Sequence, residues 1–311
     1  MQHSSLVPPV QTAAVRIQTL KVGPVAGRLR GILGLYLKPK TLDEAISVLA
    51  SSGGQILAGG TDFYPALGER LPQGNVVDIS GLGEIRGIVT DEHHIRIGGL
   101  TTWMEVIQSP LPPCFDALKA AARSVGSVQI QNRGTVAGNL CNASPAADGV
   151  PPLLALDAEV ELSSSIAQRR MPLTQFIIGN RKTARQPGEI LTGVMIPRQL
   201  ENAPSAFLKL GARRYLVISI SMVAVVVQSD GGRVSAARVA VGSCSATARR
   251  LVALEKDLVG KPAAAGLASS VRPEHLSPLA PIDDVRATAE YRRDASLTLI
   301  RRALEACVGR Q

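Results

Sequence analysis

Leu57-Ala58-Gly59-Gly60-Thr61-Asp62 decides how this chain is read. A short apolar run, Ile56-Leu57-Ala58, ends in two glycines, a threonine and an aspartate. Glycine has no Cβ, so such a junction turns sharply and lets the backbone approach a ligand closely. Consecutive N–H groups beside a threonine hydroxyl form a concavity suited to an anion, and a pyrophosphate is the natural guest. Standing alone, the segment reads better as an ordinary turn, so the decision rests on its surroundings. Upstream, Thr41 is placed to cap a helix with Asp43 and Glu44 in its first turn, and Leu42, Ala45, Ile46 and Leu49 follow at helical spacing. Ser51-Ser52-Gly53-Gly54 ends that helix. Downstream, a helix is expected through Pro65 to Leu71 and a strand at Val76-Val77-Asp78-Ile79. The alternation predicts a small α/β domain with parallel strands.

Further out the pattern changes. Ile85, Gly87 and Val89 alternate, Asp91-Glu92-His93-His94 turns, and Ile95 and Ile97 alternate again, the signature of a hairpin. A Thr-capped helix from Thr101 to Val106 and an Ala-rich helix from Leu118 to Ser124 precede strands at Ala158–Leu162, Met171–Leu173 and Ile190–Ile196. The last unit holds strands at Phe207–Leu210 and Arg238–Ser243, then helices over Ala248–Leu258 and Arg293–Val308, separated by a Pro-rich connector, Pro273 to Pro281. Ile218 to Val227 fits a helix or a strand, since an unbroken apolar run has no period.

A second segment repeats the first one's recipe. Arg133-Gly134-Thr135-Val136-Ala137-Gly138-Asn139-Leu140 is built of small residues with a Thr and an Asn. Two Gly/Thr loops from two domains can close on one diphosphate from opposite sides. Asn142-Ala143-Ser144-Pro145-Ala146-Ala147-Asp148 adds a hydroxyl and a carboxylate suited to ribityl or ribose hydroxyls.

Bulk properties narrow the classes. With 311 residues, 45% of them hydrophobic, the chain suits two or three compact domains. Aromatics are 3%, too few for base-stacking platforms, and no nucleic-acid motif accompanies the net charge of +9. That charge points instead to an acidic partner subunit. Residues 1–30 carry no acid and are expected to form an arm that is disordered or docks on a partner. Cys114, Cys141, Cys244 and Cys307 are widely spaced, so no metal or iron–sulfur cluster is expected here, and a reducing cytoplasm suits free thiols. No apolar run approaches the roughly 20 residues of a membrane span. No G-x-G-x-x-G follows a strand, no P-loop exists, and no G-x-S-x-G elbow is present. His3, His93, His94 and His275 all read as solvated surface residues rather than bases.

Taken together, Leu57–Asp62, Ile97-Gly98-Gly99-Leu100-Thr101-Thr102, Gln129–Leu140 and Asn142–Asp148 resemble, in order and spacing, the FAD subunits of molybdenum hydroxylases of the xanthine dehydrogenase and carbon monoxide dehydrogenase type. The resemblance runs from about residue 34 to the C-terminus and includes Glu189-Ile190-Leu191, Phe207-Leu208-Lys209 and Tyr291-Arg292-Arg293. It implies an α+β fold in three parts. A small α/β domain (31–84) and a larger α+β domain with a mainly antiparallel sheet (85–200) form the FAD module, and an α+β domain of antiparallel strands with helices follows (205–311).

It also implies an oxidoreductase subunit that binds FAD, with molybdopterin and [2Fe–2S] clusters on partners: a small [2Fe–2S] subunit and a large molybdopterin subunit, in a dimer of heterotrimers. Leu57, Ala58, Gly59, Gly60, Thr61 and Asp62 are then expected to wrap the pyrophosphate, with Thr135, Val136, Ala137, Gly138 and Asn139 as the second pyrophosphate loop. Asp148 is expected at flavin hydroxyls, Leu191 against the ring region, and Lys209 near the isoalloxazine, where a cation stabilises negative charge on the reduced flavin. No catalytic base is required of this chain. Many members have an acidic residue shortly after the positions of Arg213-Arg214, where this chain has Val217-Ile218-Ser219. The rival expectation is a stand-alone FAD-dependent oxidoreductase of the related oxidase type. The lack of a His or Cys placed for covalent flavin attachment, and the C-terminal resemblance, count against it.

Overall fold

The computed structural model describes residues 34–214 and 216–309. The arm expected over residues 1–30 lies outside the described residues. The first unit runs β1 (Tyr36–Leu37), α1 (Leu42–Ser52), β2 (Gln55–Leu57), α2 (Phe63–Leu67) and β3 (Val76–Asp78). Its strands form a parallel sheet of order β1-β3-β2. Thr41 is extended and its hydroxyl accepts from the Glu44 N–H at 3.2 Å, the expected cap. Helix α2 begins two residues before Pro65 and stops at Leu67, short of the expected Leu71. Gly68, left-handed at φ 57°, ends it, and Pro65 sits in the first turn, where its missing N–H costs nothing. Ala45, Leu49, Val77 and Ile79 build a small core that also takes in Leu100 and Ile190 from the next unit.

That unit holds β4 (Ile88–Thr90), β5 (His94–Gly98), α3 (Trp103–Gln108), α4 (Asp116–Ser124), α5 (Val128–Arg133), α6 (Val136–Asn142), α7 (Val150–Ala155), β6 (Glu159–Ser163), β7 (Gln168–Pro172), α8 (Leu173–Phe176), β8 (Ile177–Gly179), β9 (Lys182–Thr183) and β10 (Ile190–Pro197). The main sheet is antiparallel throughout, in the order β4-β5-β10-β6-β7. Strands β8 and β9 form a separate hairpin. Ile85, expected in the β4 strand, lies in a 3-10 turn, because its side chain is buried against the first unit's core. Thr102 and Glu105 close a capping box at the start of α3, the threonine cap expected within Thr101–Val106.

The third part comprises β11 (Ser205–Leu210), β12 (Ser221–Asp230), β13 (Arg233–Gly242), β14 (Arg249–Arg250), α9 (Val252–Leu258) and α10 (Ala289–Val308), with an antiparallel sheet of order β11-β12-β13-β14. The open question over 218–227 resolves as a strand from Ser221. Its apolar run is continuous because both faces are buried. Met222, Ala224 and Val226 enter the large core under the helices of the second unit. Val223, Val225 and Val227 enter another core with Leu299, Ile300, Ala303 and Leu304 of α10.

Two expectations fail here. The helix expected from Ala248 starts at Val252, because Arg250 pairs with Ala240 on the sheet edge and its guanidinium binds Asp157 and Glu255. His275 is not solvated: it is 4% exposed, its Nδ1 accepts from the Arg272 N–H at 3.1 Å, and Nε2 lies 3.0 Å from Asp257 Oδ2. Arg292 is buried as well, donating to the carbonyls of Ile220 (2.7 Å) and Ser243 (3.1 Å) and to Asp284 (2.7 Å). Cys114, Cys244 and Cys307 are buried and Cys141 partly so. Among the described residues no helix is long and apolar enough to cross a membrane.

Candidate functional site

The two Gly/Thr loops touch. An ideal Cβ on Gly59 would stand 1.9 Å from the carbonyl oxygen of Arg133, so only glycine lets the first loop lie against the end of α5. Beside this contact, a Cβ on Gly134 would sit 3.3 Å from Thr61 Oγ1. The second loop is itself pinned: Trp103 N–H donates to the Gly134 carbonyl at 3.1 Å, and Val136 N–H to the Thr101 carbonyl at 3.0 Å. Thr135 caps α6, its hydroxyl accepting from the Gly138 N–H at 3.0 Å. A third close approach, Gly99 against the Leu191 carbonyl (2.2 Å from an ideal Cβ), brings β10 to the same place. Its neighbour Gly98 makes a different approach, an ideal Cβ there standing 2.6 Å from the Ile85 carbonyl oxygen, so the two glycines answer to two contacts.

These approaches leave a cleft of about 530 Å³, within the range of ordinary small-molecule sites. The predicted residues Ala58, Gly59, Gly60, Thr61, Asp62, Thr135, Ala137, Gly138 and Leu191 come together on its walls, with Ile56, Ile79 and Ile190 as apolar lining. The N–H groups of Gly59, Gly60, Thr61 and Asp62 have no acceptor among the described residues, so they are available to an anion. Gly60 turns with φ 76°, and a Cβ there would meet the Tyr64 ring at 2.7 Å. These features fit the diphosphate of a dinucleotide.

Other predicted residues lie elsewhere. Leu57 and Val136 are buried, Val136 in the core of the second unit and Leu57 beside Gly60, so they set the loops' positions from behind. Asn139 is partly buried, and its Oδ1 has no hydrogen-bond partner among the described residues. Asp148 and Lys209 are outside the cleft lining and pair with each other at 2.7 Å, only 8% and 12% of their side chains being exposed. Ser219 donates to the second Asp148 oxygen at 2.9 Å. Burial pushes the Asp148 carboxyl upward, against the opposing pull of Lys209 and Ser219. The segment marked in the sequence as a departure, Val217-Ile218-Ser219, thus supplies a buried hydroxyl to Asp148.

The sequence reading missed one wall. The β8–β9 hairpin brings Arg181, Thr183 and Arg185 to the cleft. Arg181 donates to Asp62 at 3.2 Å and to the Asn142 side-chain oxygen. Arg185 donates to the Glu189 carbonyl at 2.9 Å, and Glu189 is held by Arg169 at 2.6 Å. The signal was present in Asn180-Arg181-Lys182-Thr183-Ala184-Arg185, a basic cluster in a polar turn. Cys141 also lines the cleft; burial pushes its thiol up to about 11, which makes it a neutral wall residue. Among the described residues no group of three or more His, Cys, Asp or Glu is placed to hold a metal ion.

Comparison with known proteins agrees with this geometry. Residues 28–199 match the family model of the FAD binding domain in molybdopterin dehydrogenase, and residues 206–307 that of the CO dehydrogenase flavoprotein C-terminal domain. The xanthine dehydrogenase FAD-binding subunit of Escherichia coli O157:H7 is 31% identical over 278 residues, covering 88% of this chain and 95% of its own. The carbon monoxide dehydrogenase medium chain of Hydrogenophaga pseudoflava is 27% identical over 279 residues, covering 88% and 97%. Reconstituted CO dehydrogenase from Oligotropha carboxidovorans superposes with a TM-score of 0.82 at 26% identity, over 89% of this chain and 98% of that one. The loops that build the cleft lie inside the first match and the doubly buried strand inside the second, and the chain belongs to the FAD-binding subunits of the molybdopterin-dependent dehydrogenases, an oxidoreductase family that includes the xanthine and carbon monoxide dehydrogenase flavoproteins.

Proposed function

We propose that this chain is the FAD-carrying electron-transfer subunit of a heteromeric molybdenum hydroxylase, taking electrons from a [2Fe–2S] subunit and delivering them to an external acceptor. The observation that carries the proposal is the meeting of two loops, through Gly59 and Arg133, whose residues line a cleft of about 530 Å³ and carry N–H groups with no acceptor among the described residues. Bound FAD supplies the redox chemistry, and the protein supplies position, electrostatics and access. Gly59 to Asp62 and Thr135 to Gly138 hold the diphosphate in this reading. Ile190 and Leu191 offer apolar contact to a ring. Lys209 keeps a positive charge behind the site, and Asp148 orients it. The division of labour follows residues 31–84 and 85–200 for the flavin and 205–311 for packing beside it. The partners are a small [2Fe–2S] subunit and a large molybdopterin subunit, assembled as a dimer of heterotrimers in the cytoplasm, and the organic substrate is oxidised on the large subunit.

The test is an absorbance spectrum of the natively purified complex, followed by release of the cofactor by heat. Flavin bands overlapping iron–sulfur absorption, two further subunits and released FAD support the proposal. Flavin on this chain alone, with full turnover of an organic substrate, would identify a stand-alone oxidoreductase. No flavin, even with excess FAD, would dismiss both.

A further inference from the structure

Beyond the two loops, we infer that Arg181 is a phosphate-binding residue of the dinucleotide site, exchanging its contact with Asp62 for an oxygen of the diphosphate. The inference rests on the FAD reading above. A diphosphate brings two negative charges, and the free N–H groups that would receive it sit beside a carboxylate, Asp62, on the same wall. Neutral donors next to a like charge hold such a ligand poorly, so the site calls for a cation. Among the described residues the charged side chains of the lining are Asp62, Arg181 and Arg185. Arg185 is tied to the Glu189 carbonyl at 2.9 Å, deep beside β10.

Arg181 is differently placed. It stands at the tip of the β8–β9 hairpin in a left-handed conformation, φ 52°, which is uncommon for a residue with a side chain. Its N–H donates to the Ala143 carbonyl at 2.9 Å, so the hairpin tip is pinned to the end of α6. The guanidinium then reaches across the cleft to Asp62 and Asn142, both on the walls. The Arg181 and Asp62 side chains are 59% and 52% exposed. An ion pair so open to water contributes little, and its exchange for a phosphate oxygen is easy. A guanidinium also matches a phosphate with two parallel donors, which a lysine cannot do.

The experiment uses the full 311-residue chain, stripped of flavin, and titrates FAD by the change in flavin fluorescence at low and high salt. Arg181→Gln is expected to weaken FAD binding by roughly tenfold or more at low salt, with the gap narrowing as salt screens the contact. Arg181→Lys is expected to fall between. An unchanged FAD affinity in Arg181→Gln overturns the inference. So does an equal loss in both variants that ignores salt, because the hairpin would then only shape the cleft. Wild-type chain that binds no FAD at any salt would instead remove the FAD reading, and this inference with it. Thermal unfolding of each variant guards against misfolding, and if Arg181→Gln melts early the salt response of Arg181→Lys decides.

Discussion

Gly59 and Arg133 meet backbone to backbone: a Cβ on Gly59 would stand 1.9 Å from the Arg133 carbonyl oxygen. That carbonyl cannot give way, because Gly134 next to it holds Trp103 and Val136 follows into α6. Gly59→Ala is therefore expected to force the loops apart, cost roughly 1–3 kcal/mol of stability and abolish FAD retention. Gly60→Val is strained by φ 76° and by the Tyr64 ring, and also loses flavin. Flavin content per chain after purification, with a denaturant melt, checks both; full occupancy in Gly59→Ala would mean that the loop contact is not needed.

Thr135 ties the second loop to α6 through one hydroxyl. Thr135→Val keeps the shape and removes the acceptor for the Gly138 N–H. A loss of about 1 kcal/mol in stability is expected, with weaker FAD binding, and Thr135→Ser should restore both. Calorimetric melting and FAD titration of the pair measure this.

Lys209 neutralises a carboxylate that burial already disfavours. Asp148 is raised on folding above the roughly 3.9 of an unfolded aspartate. A group raised in this way contributes stability that is full below the unfolded value and is lost as pH rises through the folded one. Lys209→Met removes the counter-ion and raises Asp148 further. The variant is expected to be most stable near pH 4 and to lose about 3 kcal/mol relative to wild type by pH 7. Urea denaturation across that range tests it, and a pH-independent difference would contradict it.

Arg292 makes its bonds inside the C-terminal part. Arg292→Met takes the guanidinium donors from the Ile220 and Ser243 carbonyls and from Asp284, which keeps its Arg286 donors, and a loss of about 3–5 kcal/mol is expected. The Arg286 N–H and then Arg292 hold the Asp284 carboxyl down to about 2. Stability from a depressed carboxylate is present above its unfolded value and lost as pH falls through the folded one. The wild-type acid limb between about pH 4 and 2 should therefore become shallower in the variant without disappearing, since the Arg286 N–H remains, as acid titration followed by circular dichroism would record.

Local chemistry made much of this structure legible. Thr41 and Thr102 cap helices because a short hydroxyl before an apolar period has little else to do. Gly59 and Gly60 declared a turn, but Arg133 lies 74 residues from Gly59 and the Tyr64 ring meets Gly60 only once the turn is folded, so the reason for each glycine was not readable. Strand β12 carries no period because neighbours on both sides bury it. His275 stands among prolines and looks solvated, yet its ring is buried and Asp257, 18 residues away and partly exposed, meets its outer nitrogen. Arg181 was overlooked because a basic turn resembles any surface loop until the hairpin is folded over the cleft. Asp148 was singled out, but its buried partners Lys209 and Ser219 come from 61 and 71 residues downstream.

Strand β12 serves two cores at once, Met222, Ala224 and Val226 on one side and Val223, Val225 and Val227 on the other. A chain cut before β11 would strip Phe207, Met222, Ala224, Val226 and Ala240 from the core that holds Phe115, Leu118 and Leu153, and so open that core to water. The last hundred or so residues are thus a lining sewn into the flavin half, not a separate pendant. The two halves should melt in a single cooperative transition, and a fragment ending near residue 204 should aggregate instead of binding cofactor.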